Sequence, residues 1–103
     1  MTASASVIDS ISAAMSVRSL RNEVIASNIA NRNAEGYQRL KVSFEHAFAA
    51  AGRAGVVTDS AAPASLEDDL VALSTNALQY QALARVLNRY FFLLAAITNP
   101  NRG

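Results

Sequence analysis

The stretch from Ser65 to Asn99 contains neither glycine nor proline, and this constrains the fold more than any other feature of the chain. Apolar residues recur in it at alternating steps of four and three. We call this set the first stripe: Leu66, Leu70, Leu73, Ala77, Tyr80, Ala84, Leu87, Phe91 and Leu94. A heptad pattern held over about four heptads predicts a long helix that packs against another helix. Ser65 and Asp68 have the spacing of an N-terminal capping pair, and Asn99-Pro100 ends the pattern, so we predict a helix over about 65–98.

A second apolar face lies beside the first stripe on the same helix. We call it the second stripe: Val71, Leu78, Ala82, Val86, Tyr90, Leu93 and Ile97. Between Tyr90 and Ile97 the helix is apolar all round, which is typical of a helix buried among several partners or in a membrane. This run covers about two turns, whereas a membrane span needs about 20 residues, so no membrane span is expected. The sequence therefore predicts contact with more than one neighbour.

Size and charge narrow the class of protein further. The chain has 103 residues, which favours a single domain, and its net charge is +1 without any basic run that would suggest binding to nucleic acid. Cysteine is absent, so disulfides and thiolate metal sites are excluded. The first residues, MTASASVIDS, lack the basic start and apolar core of a cleaved signal peptide. If the protein leaves the cytoplasm, we expect a route that needs no such signal.

The N-terminal part of the chain predicts a second long helix, over about 6–30. Ser6 and Asp9 form another capping pair at its expected start. Its larger apolar residues are Ile8, Ile11, Met15, Val17, Leu20, Val24, Ile25 and Ile29. They fit two partial stripes facing two neighbours or one broad face on a core, and periodicity alone does not separate these interpretations.

The region between the helices is divided into a loop with a short segment, 31–48, and a linker, 49–64. Its first residues are rich in asparagine, which suits a helix end, and Gly36 allows a turn. Residues 37–48 permit either a strand or a helix, and we favour an extended piece followed by a short helix. The linker is small and Gly-containing and is expected to be mobile. The predicted fold is all-α: a single domain, 1–103, whose two long helices form an α-helical hairpin.

Nothing in the sequence indicates an enzyme, a cofactor or a metal site. His46 is the only histidine and has no cysteine to share a metal with. The three acids Glu67, Asp68 and Asp69 point in different directions on one helical turn, and they are better explained by the positive dipole of a helix N-terminus. The tyrosines and phenylalanines of the second helix suit packing, because no basic groove accompanies them.

Two motifs resemble a known family. The first is Glu23–Tyr37, EVIASNIANRNAEGY, with Asn28, Ile29, Ala30, Asn31, Gly36 and Tyr37 as its matching residues. It resembles the N-terminal signature of flagellar rod, hook and related axial proteins. The second is a C-terminal run that contains Asn76, Ala77, Leu78, Gln79, Tyr80 and Gln81. Together the two are similar to the flagellar basal-body rod family, and within it to the FlgB-like proximal rod proteins. The family usually has Thr-Pro before Gly-Tyr, where this chain has Ala34-Glu35.

The resemblance implies a structural subunit rather than an enzyme. Members of the family pack their terminal helices as a hairpin, leave the cell through the flagellar type III export apparatus with an uncleaved signal, and stack helically into the periplasmic rod. The implied partners are copies of this chain in a helical homopolymer, other rod proteins and the motor ring. We expect the assembly interface to lie on the second helix, at Leu66, Leu70, Leu73, Leu87, Tyr90, Phe91, Phe92, Leu93, Leu94 and Ile97.

Two alternatives remain open at this level. The segment between the two motifs is short, which fits a rod-derived subunit of an extracellular, non-flagellar filament or tube. A small helical adaptor or export chaperone, which would stay cytoplasmic as a discrete dimer, is the third interpretation. The helical symmetry and the conformation of residues 37–64 do not follow from the sequence.

Overall fold

A computed structural model describes residues 3–43, 55–59 and 64–98 of the chain. The elements in order are helix α1 (Ala3–Ala30), strand β1 (Leu40–Val42), strand β2 (Val56–Thr58) and helix α2 (Leu66–Thr98). The two long helices of the predicted fold are confirmed, and a short irregular segment with a small two-stranded sheet joins them. The molecule is elongated, with principal extents of 62 × 26 × 16 Å.

Helix α2 begins where its capping chemistry predicts. The N–H of Asp68 donates to Oγ of Ser65 at 3.1 Å, and the N–H of Ser65 donates to Oδ2 of Asp68 at 3.4 Å. Two backbone groups that would lack partners at a helix start are thereby bonded reciprocally. At the other end the hydroxyl of Thr98 donates to the carbonyl of Leu94 at 3.0 Å.

Helix α1 begins earlier than predicted but ends as expected. Its first residue is Ala3, so Ser6 lies inside the helix and the prediction that it caps the start is wrong. The buried apolar side chains of the described residues are Val17, Leu20, Val24 and Ile25, all in the second half of α1. The core is therefore concentrated near the loop end of the hairpin.

The two helices run antiparallel. Arg18 contacts Asn76, and Asn28, ten residues further along α1, lines a cleft with Asp69, seven residues back along α2. Ala3 lies fifteen residues before Arg18, and the residue fifteen after Asn76 is Phe91. Because both helices rise equally per residue, the last turns of α2 extend past the start of α1. The two pairings place Ala3 level with Phe91 or with Leu94, so the overhanging segment begins between Phe92 and Ala95.

The linker predicted to be mobile contains strand β2. It pairs antiparallel with β1 in the register Leu40↔Thr58, Lys41↔Val57 and Val42↔Val56. The extended piece predicted after Tyr37 is β1, whereas the linker prediction is wrong for Val56–Thr58, because two β-branched valines find a partner strand. The short helix expected up to residue 48 and the rest of the linker lie outside the described residues.

The face of α2 that packs on α1 differs from the predicted first stripe. Leu73, Leu87 and Leu94 of that stripe are at least partly buried, but Leu66, Leu70 and Phe91 are 37, 47 and 47 % exposed. The most deeply buried residues of α2 are instead Asp69 and Asn76, at 4 and 2 %. We call the observed face the inner face: Asp69, Leu73, Asn76, Leu83, Leu87, Tyr90 and Leu94, with Tyr80, 39 % exposed, at its edge. The predicted seam is therefore wrong at Leu66, Leu70 and Phe91, whereas Leu73, Ala84, Leu87 and Leu94 are partly buried.

Candidate functional site: a loop anchor and an exposed helix face

Asn28 anchors the chain that leaves α1. Its Nδ2 donates to the carbonyl of Leu40 at 2.8 Å, and its Oδ1 accepts from the N–H of Leu40 at 3.0 Å. The hydroxyl of Tyr37 donates to the same Oδ1 at 2.9 Å and lies 3.2 Å from Oγ of Ser27. The side chain is 3 % exposed and bonds the outer edge of β1 as a neighbouring strand would. Asn28 therefore fixes the start of the ribbon, the two-stranded sheet formed by β1 and β2.

Asn31 makes only local bonds. Its Nδ2 donates to the carbonyl of Ser27 at 2.9 Å and lies 3.4 Å from Oγ of Ser27. It therefore completes the end of α1 rather than reaching the ribbon. Ile29 is half-buried and Ala30 is exposed beside it.

Gly36 turns the chain toward Tyr37. Its φ of 76° lies in the left-handed region, which a residue with a Cβ rarely adopts. The N–H of Tyr37 donates to the carbonyl of Ala34 at 3.2 Å across this turn. Gly36 therefore makes the turn that the motif predicts, although Ala34-Glu35 stand where the family usually has Thr-Pro.

A buried ion pair joins the ribbon to α2. Nη1 and Nη2 of Arg39 donate to the two carboxylate oxygens of Asp69 at 2.9 and 2.8 Å. The Arg39 hydrogen bond holds the pKa of Asp69 below its ordinary value, although burial acts against it, and the same bond raises the pKa of Arg39. From the sequence, Asp69 is expected only to interact with the helix dipole, and nothing singles out Arg39. Its partner lies 30 residues away, so no local pattern indicates the pair.

The C-terminal motif divides between the inner face and the surface. Asn76 is buried, and its Nδ2 donates to the carbonyl of Arg18 at 2.6 Å. Ala77, Tyr80 and Gln81 line a cleft of about 240 Å³ beside it. Leu78, 65 % exposed, and Gln79 face solvent.

Most of the second stripe is exposed, as the sequence predicts for a face reserved for other partners. Val71, Val86, Leu93 and Ile97 are 50 to 74 % exposed, and Phe92 on the adjoining side is 75 % exposed. Tyr90 is the exception, because it is half-buried on the inner face. Of the expected interface residues, Leu66, Leu70, Phe91, Phe92, Leu93 and Ile97 lie exposed, and Leu73, Leu87, Tyr90 and Leu94 are partly buried. Single exposed apolar side chains are ordinary on a protein surface, whereas on α2 the exposed apolar side chains recur along one face of the helix.

The described residues can be compared with the requirements of a metal site and of a membrane span. They contain no group of three or more His, Cys, Asp or Glu side chains that could hold a metal ion. Neither long helix is long and apolar enough to cross a membrane. His46 lies outside the described residues.

A comparison with known families matches the part of the chain that contains Asn28 and Tyr37. Residues 8–38 match the family described as flagella basal body rod protein, a stretch that covers most of α1 and ends just after Tyr37. This match confirms the resemblance inferred from the Asn-Ile-Ala-Asn and Gly-Tyr motifs. A search of curated proteins gives no match to the chain.

Proposed function

We propose that this chain, whose residues 8–38 match the flagellar basal body rod family, is a structural subunit of the proximal rod that assembles as a helical homopolymer. The observation that carries the proposal is the exposed apolar face of α2, from Val71 to Ile97, on a hairpin with a small core. Leaving these side chains in water is unfavourable by about 25 cal/mol per Å² of apolar area. Contact between copies would remove that area from water.

The overhang of α2 supports head-to-tail contact between copies. Phe92, Leu93 and Ile97 lie in the last two turns of α2, which reach or pass the start of α1, and are at least half exposed. Binding of this surface to a different surface of the next copy would be a heterologous contact, and such contacts generate open helical assemblies when the rotation between copies does not close into a ring. Export without a cleaved signal peptide, a periplasmic location and contact with other rod proteins or the motor ring belong to the same proposal.

A rod-derived tube outside the flagellum is the second candidate. It is favoured by the short connection between the two helices, in which β1 and β2 are the described structured elements. Neighbouring genes for flagellar export and ring proteins would favour the rod, and their absence would favour the separate tube.

Electron microscopy after slow removal of denaturant tests the proposal. We expect hollow tubes or filaments of indefinite length. The control is a variant with Phe92→Asp and Ile97→Asp, which should give no filaments. A discrete dimer at every concentration would instead support a small adaptor or export chaperone and would contradict the proposed function.

A further inference from the structure

Helix α2 packs on α1 through a face that buries two polar residues, although a fully apolar seam was available. The inner face and the first stripe share one column of residues: Leu73, Tyr80, Leu87 and Leu94. They differ in the other column, where Asp69, Asn76, Leu83 and Tyr90 replace Leu70, Ala77, Ala84 and Phe91. At 100° per residue, the two arrangements differ by a rotation of α2 about its axis of about 50°.

Burial of apolar area alone does not select the observed rotation, because turning α2 to the first stripe would cover Leu70 and Phe91 in exchange for Leu83 and Tyr90. Leu70 and Phe91 are each 47 % exposed in the observed packing, whereas Asn76 is 2 % exposed. Burying an amide costs free energy unless its hydrogen bonds are replaced, and Oδ1 of Asn76 has no partner among the described residues. A specific interaction must therefore select the observed rotation.

Asn76 supplies that interaction directly between α2 and α1. Its Nδ2 donates to the backbone carbonyl of Arg18, at 2.6 Å and across 58 residues of chain. A backbone carbonyl is fixed along α1, so this bond specifies both the axial position and the rotation of α2. Asp69 adds a second constraint, two turns earlier, through Arg39 on the ribbon. Single buried polar residues are known to specify register in paired helices at a cost in stability.

We infer that Asn76 is a positioning residue that selects the rotation of α2, so that Leu70, Ala77 and Phe91 face outward beside the second stripe. Asn76 thereby decides which apolar surface the hairpin presents. The consequence for contacts between copies rests on the proposed function, whereas the rotation itself does not. Removing the amide should let α2 turn toward the apolar seam.

Distances between two spin labels measure the rotation. The chain has no cysteine, so Ser16→Cys on α1 and Gln79→Cys on α2, both exposed positions, provide two unique attachment sites. Labelled chains diluted into unlabelled ones report the distance within one molecule, whether or not copies associate. We expect Asn76→Leu, which has no amide to hold the observed rotation, to shift this distance by several ångströms. Asn88→Leu, at an exposed asparagine of the same helix, should leave the distance unchanged.

A smaller variant keeps the test decisive. Asn76→Ala adds no bulk and favours helix, so it should show the same shift if the amide selects the rotation. An unchanged distance in both variants would overturn the inference, and so would loss of helicity in both, because the apolar seam should hold the helices together. Filament formation is scored separately: we expect the critical concentration of Asn76→Leu to rise by about tenfold or more. Wild-type protein that forms no filaments would refute the proposed function without affecting the measured rotation.

Discussion

Arg39 binds both carboxylate oxygens of Asp69, at 2.9 and 2.8 Å, and so ties strand β1 to the first turn of α2. The Asp69 side chain is 6 % exposed and that of Arg39 is 19 % exposed. Bidentate pairs of this kind are stronger than exposed ion pairs and are specific in geometry. The ribbon is therefore held at both helices, by Asn28 on α1 and by Asp69 on α2.

Stability should depend on pH through Asp69. Its pKa is lowered on folding, so the unfolded chain takes up a proton first as the pH falls. The stabilising contribution is complete above about pH 4, the ordinary range of an aspartate, and is lost as the pH falls through the lowered pKa of the folded state. Asp69→Asn should lower the free energy of unfolding at pH 7 by about 2 kcal/mol. The free energy of unfolding of this variant should also fall less steeply as the pH is lowered below about 4. Urea titrations from pH 2 to 7 at one protein concentration measure this.

The exposed neighbour Glu67 provides the matched control for that experiment. Glu67→Gln removes a charge from the same helical turn without touching Arg39. The free energy of unfolding of this variant should depend on pH as it does in the wild type. Identical pH profiles for the wild type and Asp69→Asn would contradict the prediction.

Replacing Asn28 should destabilise the chain more than replacing Asn31. Asn28→Ala leaves the half-buried N–H and carbonyl of Leu40 without their partner, at a cost of about 2 kcal/mol. Asn31→Ala removes bonds within one helix end, worth about 0.5–1 kcal/mol. Urea midpoints give the ranking, and faster hydrogen exchange at Leu40 in Asn28→Ala alone would locate the effect. Equal losses in the two variants would argue against the anchor.

Gly36→Ala should destabilise the turn through the backbone alone. An added Cβ would meet nothing within 4 Å, so the cost comes from the left-handed φ and is about 1 kcal/mol. Gly36→Asn should cost less, because asparagine tolerates this region. Thermal melting of the two variants checks the order, and equal melting temperatures would indicate that the turn relaxes to another conformation.

Folding should be coupled to association. Melting temperature and helicity of the wild type should rise with protein concentration, because copies bind the folded state. Phe92→Asp with Ile97→Asp should abolish this dependence, whereas Gln79→Asp with Gln81→Asp, at exposed polar positions, adds the same charge and should preserve it. Circular dichroism over a wide concentration range measures both. A wild-type melting temperature independent of concentration would contradict the assembly proposal.

Local chemistry was sufficient to predict the ends of the helices at the connection. Ser65 and Asp68 form a capping box whose two members lie three residues apart, and the asparagines after Ser27 mark the end of α1. Both signals act within one turn and do not require knowledge of the rest of the chain. The motif residues Asn28, Gly36 and Tyr37 were also found from sequence, but the role of Leu40 as the bonding partner of Asn28 was not.

The strand β2 and the rotation of α2 required the tertiary structure. Val56 and Val57 have too few neighbours in sequence to indicate a strand, and they become one only by pairing with Lys41 and Val42. Counting apolar residues favoured the first stripe on α2, because Asp69 and Asn76 are unfavourable to bury until their partners are known. Those partners, Arg39 and the carbonyl of Arg18, lie 30 and 58 residues away. The sequence by itself determined that α2 carries more apolar surface than one neighbour can cover; only long-range hydrogen bonds decided which part of that surface faces outward.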